Sequence, residues 1–376
     1  MLKRGVIVVA TAVLLGLVIV LAAWRLWTGP GSRPGTGQVP PPDSGSTLVR
    51  IVPGMTLSAA ADTLASRGLL KHPRVLLAGA KLTGRGRALR AGLYELSFGT
   101  SPRDLLRTLT SGTAVLVKVT IPEGLDAASI ADLIAGALVC DPEKFLATAD
   151  SLVAAAAEAG QLLPPGTSAA FHDSLLAAET ARHPRRFRWC EGHLAPDTFL
   201  FAEGTSAEVA ARYLVQTQWA RVDSVLATPG AGEALHLSRQ EFLALASIVE
   251  AEARRPEERS RVAAVYVNRL GQGWRLEADP TVAFILKRKG KRLYYRHLEV
   301  VSAYNTYRNK GLPPGPIGSP GFAAMAAAAH PDTACRAMYF VSDGQGGHVF
   351  SRTSREHEAA VREFRRLRAG DDRRND

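Results

Sequence analysis

Cysteine is nearly absent: the 376 residues hold three, Cys140, Cys190 and Cys335. No Cys-x-x-Cys pair and no His–Cys spacing of the metal-binding kind occurs, so no metal site is expected. An extracytoplasmic location would permit Cys140 and Cys190 to pair, but their positions do not show that they are close. We read no run of Lys/Arg interleaved with aromatics in the body of the chain, which argues against nucleic acid as a partner. The charge is nevertheless lopsided, +11 net. Arg is spread widely and ends in a basic tail, Arg362 to Arg374. The plain reading is a solvated Arg-rich surface, and the alternative is attraction to an anionic envelope.

Only one long apolar run exists. Lys3 and Arg4 precede an uninterrupted stretch from Gly5 to Trp24. Twenty helical residues at ~1.5 Å each span ~30 Å, the thickness of a bilayer core. The two charges at the tip place Met1 in the cytoplasm and the rest outside, with Trp24 and Trp27 at the outer interface. A cleaved signal peptide would have a shorter apolar stretch and an Ala-x-Ala site, and neither is present. Residues 1–28 are therefore expected to be a retained single-pass transmembrane anchor, and residues 29–46, rich in Gly, Pro and Ser, an extended linker.

A small domain is expected over 47–119. Val49–Val52 reads as a strand and Pro53-Gly54 as a turn, and Thr56 can cap a helix over Leu57–Ser66 that stops at Gly68. His72–Leu82 reads as a second helix, Leu89–Leu96 as a strand, and Ser101-Pro102 opens a third helix. Alternation of Val115, Val117, Val119 and Ile121 gives a closing strand. The segments 49–65 and 117–135 echo one another as strand, Pro/Gly turn and Ala-rich helix carrying Asp-x-Leu. This is either a duplicated unit or the recurrence of a common motif. Residues 141–188 are Ala-rich and helical in pattern, a scaffold or an insertion.

The chemistry begins near Ser238. Ser238 and Glu241 form a capping box, and Phe242, Leu245, Ala246 and Val249 line one face of the helix that follows. Glu250 and Glu252 stand at its end, pointing about 160° apart at 100° per residue. Periodicity does not choose between them, and on pattern alone both read as solvated helix-end charges. A second helix follows from Pro256, with Val262, Val265, Tyr266 and Leu270 on its apolar face and Gly271 at its end. The run GLPPGPIGSPG (311–321) is a shaped loop, because Pro and Gly forbid helix there. Tyr304, Asn305 and Tyr307 offer amide and phenol groups suited to sugars, although core packing would also explain the two aromatics. His330 and His348 stand alone and read as structural.

Taken in order, IVEAEA (248–253), NRL (268–270), LEADPT, AYNTY, GLPPGPI, AAAHP and YFVSDGQGGHVF resemble the YceG-like family, the endolytic murein transglycosylases. EGHLAPDTFLF (191–201) resembles that family's Pro-Asp-Thr segment, and the region around RAGLYELSFGTSPRDLL resembles its LysM-like domain. The resemblance implies an α+β chain: a transmembrane helix, a LysM-like βααβ-type domain over 47–119, and a mixed α/β catalytic domain over 120–376. It also implies Glu252, the second Glu of the pair, as the catalytic acid/base, with Asn268, Asp279, Thr281, Tyr304 and Asn305 as substrate-cleft candidates. No cofactor is implied. Partners would be peptidoglycan glycan strands, with cell-wall synthases (penicillin-binding proteins) as further candidates, at the extracytoplasmic face of the bacterial inner membrane. Two positions depart from the family pattern: Ala251 where Lys is usual, and Ala195 where an aromatic is usual.

The implied reaction cleaves the β-1,4 bond between N-acetylmuramic acid and N-acetylglucosamine. A glycosidase needs two carboxylates. A lytic transglycosylase needs one, because the muramyl C6 hydroxyl attacks C1 and leaves a 1,6-anhydro sugar. Its acid must be protonated near neutrality, which asks for a pKa raised by about 2 units through burial beside Leu245, Ile248 and Val249. Glu250 would add to this only from close by, and the helix turns it away. The rivals are a non-catalytic wall-binding scaffold and a hydrolytic muramidase, for which Asp279 is the available second carboxylate.

Overall fold

The computed structural model describes residues 21–29, 45–52, 54–86, 89–90, 92–111, 116–183, 187–232 and 236–372. Most of the expected anchor and linker therefore lies outside the described residues, as does Val115. Among the described residues no helix is long and apolar enough to cross a membrane. The chain divides into two compact units, residues 1–118 with 200–205, and residues 119–199 with 206–376.

In the first unit, strand β1 (Ser46–Ile51) is followed by helices α1 (Leu57–Ser66) and α2 (Pro73–Leu82), strand β2 (Gly92–Ser97) and helix α3 (Pro102–Ser111). β1 and β2 are antiparallel, in register from Ser46 opposite Ser97 to Ile51 opposite Gly92. Local chemistry sets the helix starts. Thr56 Oγ1 accepts the Ala59 amide at 3.2 Å, and Ser101 Oγ accepts the Asp104 amide at 3.1 Å. On α3, Leu105, Leu106 and Leu109 are buried while Arg103, Asp104, Arg107 and Thr108 face solvent. These leucines join Val49, Ile51, Leu64, Leu69, Leu76 and Leu96 in one core. Each such side chain contributes about 1.5–3 kcal/mol by leaving water.

Strands β3 (Leu116–Thr120) and β4 (Thr198–Ala202) form a second two-stranded sheet. The second unit is mostly helical. Its helices are α4 (Ala127–Leu138), α5 (Pro142–Glu158), α6 (Ala169–Arg182), α7 (Ala207–Leu226), α8 (Arg239–Glu252), α9 (Arg259–Gly271), α10 (Asp279–Ile285), the short α11 (Tyr295–Leu298), α12 (Phe322–Ala329) and α13 (Ser354–Asp372). The antiparallel hairpin β5 (Tyr339–Ser342) and β6 (His348–Ser351) precedes α13. Three thiols, Cys140, Cys190 and Cys335, are free.

Helix α8 is the axis of this unit. The expected capping box is present: Ser238 Oγ accepts the Glu241 amide at 3.3 Å, and Glu241 Oε2 accepts the Ser238 amide at 2.9 Å. A single apolar face was expected, but Phe242 to Val249 are all buried. Helix α12, with the small residues Ala324, Ala327, Ala328 and Ala329 buried, packs closely on α8. Helix α9 begins later than the sequence suggests, because Pro256–Glu258 is a 3-10 turn and the α-helix starts at Arg259. The Pro/Gly loop is held against residues 124–125 by Gly124 N to Ser319 O at 2.7 Å and Ser319 N to Leu125 O at 2.8 Å. Gly318, at φ 153°, permits this, since a Cβ there would stand 2.8 Å from the Gly124 carbonyl oxygen.

Candidate active site

Glu252 is the last residue of α8, so its carboxyl stands where the helix carbonyls are unpaired and the macrodipole is negative. By exposed area the residue is half-buried, but protein crowds the carboxyl and desolvation dominates its chemistry. Tyr266, on the neighbouring α9, donates its hydroxyl to Glu252 Oε1 at 2.8 Å. Burial, with a smaller push from the Asp279 charge, outweighs that hydrogen bond and raises the Glu252 pKa from 4.5 to about 7. An acid so placed is half protonated at neutral pH and can both give and take a proton.

Two hollows open on Glu252. One, of about 540 Å³, is lined by Asp279, Ala251, Arg254, Phe284, Ile317 and Gly318 with residues 287–293. The other, of about 730 Å³, is lined by Arg254, Ser342, Asp343, Gln345 and His348 among others. The carboxyl thus forms part of both walls, with open space on either side. Asp279 begins α10 and accepts the Tyr307 hydroxyl at 2.6 Å. Burial first, then Asp279, pushes the Tyr307 phenol well above its ordinary range, so it stays a donor.

Glu250 departs from the reading of a solvated charge. It accepts Arg259 Nη2 at 3.2 Å and the Gly321 amide at 3.0 Å, with its side chain 9% exposed. It ties the end of α8 to the first residue of α9 and to the start of α12. The two glutamates of the pair therefore divide the work, one bracing three helix ends and the other facing the cleft.

The remaining expected cleft residues are placed differently from Asp279. Asn268 donates to Cys335 O at 3.1 Å and Ala337 O at 3.0 Å, latching the segment before β5. Thr281 is fully buried and donates to Ala278 O at 2.7 Å beside Thr306 Oγ1 at 3.0 Å. Tyr304 packs against Phe187 and Phe284 in the core. Asn305 donates to Leu298 O and Val300 O, each at 2.8 Å, and accepts the Tyr307 amide at 3.0 Å. These four shape the loops behind the cleft and do not line either hollow. For Thr281 and Asn305 the reason is physical: a short polar side chain in a turn finds its partners in nearby backbone carbonyls.

Three features escaped the sequence reading. Tyr266 sits in the apolar stripe of α9, and only its hydroxyl, invisible to periodicity, makes it a site residue. Buried Glu179 on α6 accepts Ser302 Oγ at 2.6 Å and the Ala303 amide at 3.0 Å, so the Ala-rich segment braces the AYNTY loop. The run KRKGKRLYYRH (287–297) does interleave Lys/Arg with Tyr, contrary to the reading above, and its first part walls the cleft. Among the described residues, no group of acidic, His and Cys side chains could hold a metal ion.

The model of the YceG-like family matches residues 49–363. The chain is 29% identical over 325 residues to the endolytic murein transglycosylase of Bacillus subtilis (strain 168), covering 86% of each. It is 29% identical over 328 residues to that of Streptococcus pneumoniae serotype 2 (strain D39), covering 84% of this chain and 58% of the relative. A crystal structure of a YceG-like protein from Listeria monocytogenes superposes with a TM-score of 0.51 at 28% identity, over 84% of this chain and 98% of the other. With the family match running from β1 into α13, the chain belongs to the YceG-like family.

Proposed function

We propose that this chain is an endolytic peptidoglycan lytic transglycosylase that uses Glu252 as its single acid/base. It cleaves the β-1,4 bond between N-acetylmuramic acid and N-acetylglucosamine within a strand and leaves 1,6-anhydro ends. The observation that carries the reading is Glu252 itself, a carboxyl poised at about 7 between two hollows. Space on both sides of the acid suits a strand that continues past the cut, as internal cleavage requires. In the first step protonated Glu252 gives its proton to the glycosidic oxygen as the bond to C1 breaks. In the second, the muramyl C6 hydroxyl bonds to C1 and its proton passes to the Glu252 carboxylate. The acid is restored and no water is consumed. Tyr266 holds Oε1 and leaves Oε2 for the substrate. Because the attacking hydroxyl belongs to the sugar, the second step gains from proximity.

The hydrolytic alternative has one observation in its favour, since Asp279 lines the same hollow and acts electrostatically on Glu252. Its Oδ1 is engaged by the Tyr307 hydroxyl, which leaves one oxygen to activate a water. Mass spectrometry of glycan strands digested with the full chain separates the readings. Anhydro ends, one water lighter, support the transglycosylase. Reducing ends support a muramidase, and intact strands a scaffold.

The remaining parts fit a wall enzyme working beside the membrane. Residues 1–28 would anchor it with the N-terminus in the cytoplasm, and residues 29–46 would carry it outward. The 47–119 domain, with its antiparallel β1–β2 pair and two intervening helices, would hold glycan in the LysM manner without cutting it. Cutting nascent strands would limit their length during wall synthesis, with cell-wall synthases such as penicillin-binding proteins as neighbours.

A further inference from the structure

Residues 287–292 read Lys-Arg-Lys-Gly-Lys-Arg, and all six line the hollow that holds Glu252 and Asp279. Arg254 lines it too. Lys287, Lys289, Lys291 and Arg292 are exposed, and so is Arg254. Elsewhere in this unit the arginines near the site are matched: Arg255 with Asp343, Arg259 with Glu250, Arg269 with Glu277. Among the described residues, none of the cations of the arm, nor Arg254, has a carboxylate within ion-pair distance.

The arm is nevertheless fixed in place. Lys289 Nζ donates to the Gly124 carbonyl oxygen at 2.5 Å, across the hollow's rim. Arg288 Nη2 reaches Arg292 O at 3.4 Å, while its buried Nε has no partner. The Arg292 guanidinium lies 5.4 Å from the centre of the Tyr294 ring. Five cations in six residues repel one another; Glu252 and Asp279 share their hollow but stand outside ion-pair distance of them, so an anion brought from outside would relieve that repulsion. The wall they form is continuous with the catalytic carboxyl, so the anion would belong to whatever lies across Glu252.

We propose that the 287–292 arm, with Arg254, is a subsite for the carboxylates of the peptide stems borne on muramic acid, so that peptide-bearing strands are cut in preference to stripped ones. The inference rests on the reading of a peptidoglycan strand in the cleft. The sugar backbone of such a strand is uncharged. Its regular negative charge comes from the stem peptide on the lactyl group of every second sugar, adjacent to the bond being cut. Each exposed charge pair adds a few-fold at most, so several together should set the preference.

The test compares cleavage by the full chain of peptide-bearing strands and of the same strands stripped with an amidase, which leaves a single lactyl carboxylate on each muramic acid in place of the several carboxylates of the stem. The expected preference in kcat/KM is about tenfold, or about 1.4 kcal/mol, carried by KM and weakened by added salt. In the Lys287→Gln/Lys291→Gln/Arg292→Gln chain the ratio should fall to near one, whereas Lys287→Arg/Lys291→Arg should keep it. If the triple variant fails to fold, Lys287→Gln/Lys291→Gln alone, at two exposed positions, gives the same readout. A parent ratio near one, or a preference that survives the neutral substitutions, overturns the subsite. Anhydro products from stripped strands at a ratio near one leave the reaction standing and remove only the subsite. Failure of the parent to cut either strand removes the reaction and the subsite with it.

Discussion

Replacing Glu252 by Gln should abolish cleavage and, at the same time, stabilise the fold in a pH-dependent way. The carboxyl is raised from 4.5 to about 7, chiefly by burial. At pH 7 a carboxyl at its ordinary value would be protonated in about 0.3% of molecules, and at about 7 it is protonated in about half. The same shift is a stability statement. The folded chain holds a proton that the unfolded chain has released, so stability falls as pH rises between about 4.5 and 7. The full difference is about 3 kcal/mol, an upper bound because the side chain is only half covered. Gln has nearly the same shape, its amide oxygen can accept the Tyr266 hydroxyl, and it carries no charge to bury. Urea unfolding of parent and variant should therefore coincide near pH 4 and separate progressively up to pH 8, with the variant more stable. Cleavage should drop by about 10²–10⁴-fold, the usual worth of a general acid/base. A stability difference that does not change with pH would refute the electrostatic reasoning. Near-parental anhydro product from the variant would refute the assignment itself.

The other expectations concern the residues around that carboxyl. Tyr266→Phe removes the hydrogen bond that favours the charged form, so the alkaline limb of the cleavage pH profile should move upward; a limb that stays or moves to lower pH would show that Tyr266 does not act on Glu252. Asp279→Asn removes a repulsive charge, so the same limb should move downward, and a change to reducing-end products or their loss would instead point to hydrolysis through Asp279. Glu250→Gln should lower stability by about 2–4 kcal/mol through the lost pair with Arg259, read as a lower denaturant midpoint, while reducing cleavage less than Glu252→Gln does. Gly318→Ala should cost about 1–3 kcal/mol, because the new Cβ meets the Gly124 carbonyl oxygen at 2.8 Å, and an unchanged midpoint would mean that the loop shifts freely.

Local chemistry was readable wherever it is confined to neighbours in sequence. Helix α1 runs over Leu57–Ser66 as expected because Thr56 and Gly68 mark its ends with side-chain and backbone chemistry of their own. The capping box of α8 was readable for the same reason. What periodicity could not give was the burial of that helix all round, since its packing partners include small residues some 80 positions later. The roles of Glu250 and Glu252 were hidden in the same way. Glu250 is defined by Arg259 and the Gly321 amide, and Glu252 by Tyr266 and Asp279. The resemblance carried the choice between them, and the helix pattern did not.

The polar residues of the motif region teach the converse. Asn268, Thr281 and Asn305 have chemistry suited to sugars, yet each spends its donors on backbone carbonyls or a neighbouring hydroxyl. Their place in the motifs follows from geometry. Asn268 holds the strand entry of β5, Thr281 the start of α10 where Asp279 stands, and Asn305 the turn that aims Tyr307 at Asp279. A buried donor left unmade costs about 1–3 kcal/mol, enough to loosen such a loop. Order around the hollows is therefore built one layer back from them. Asp279 lines one of them, while Asn268, Thr281 and Asn305 hold the segments around it in place.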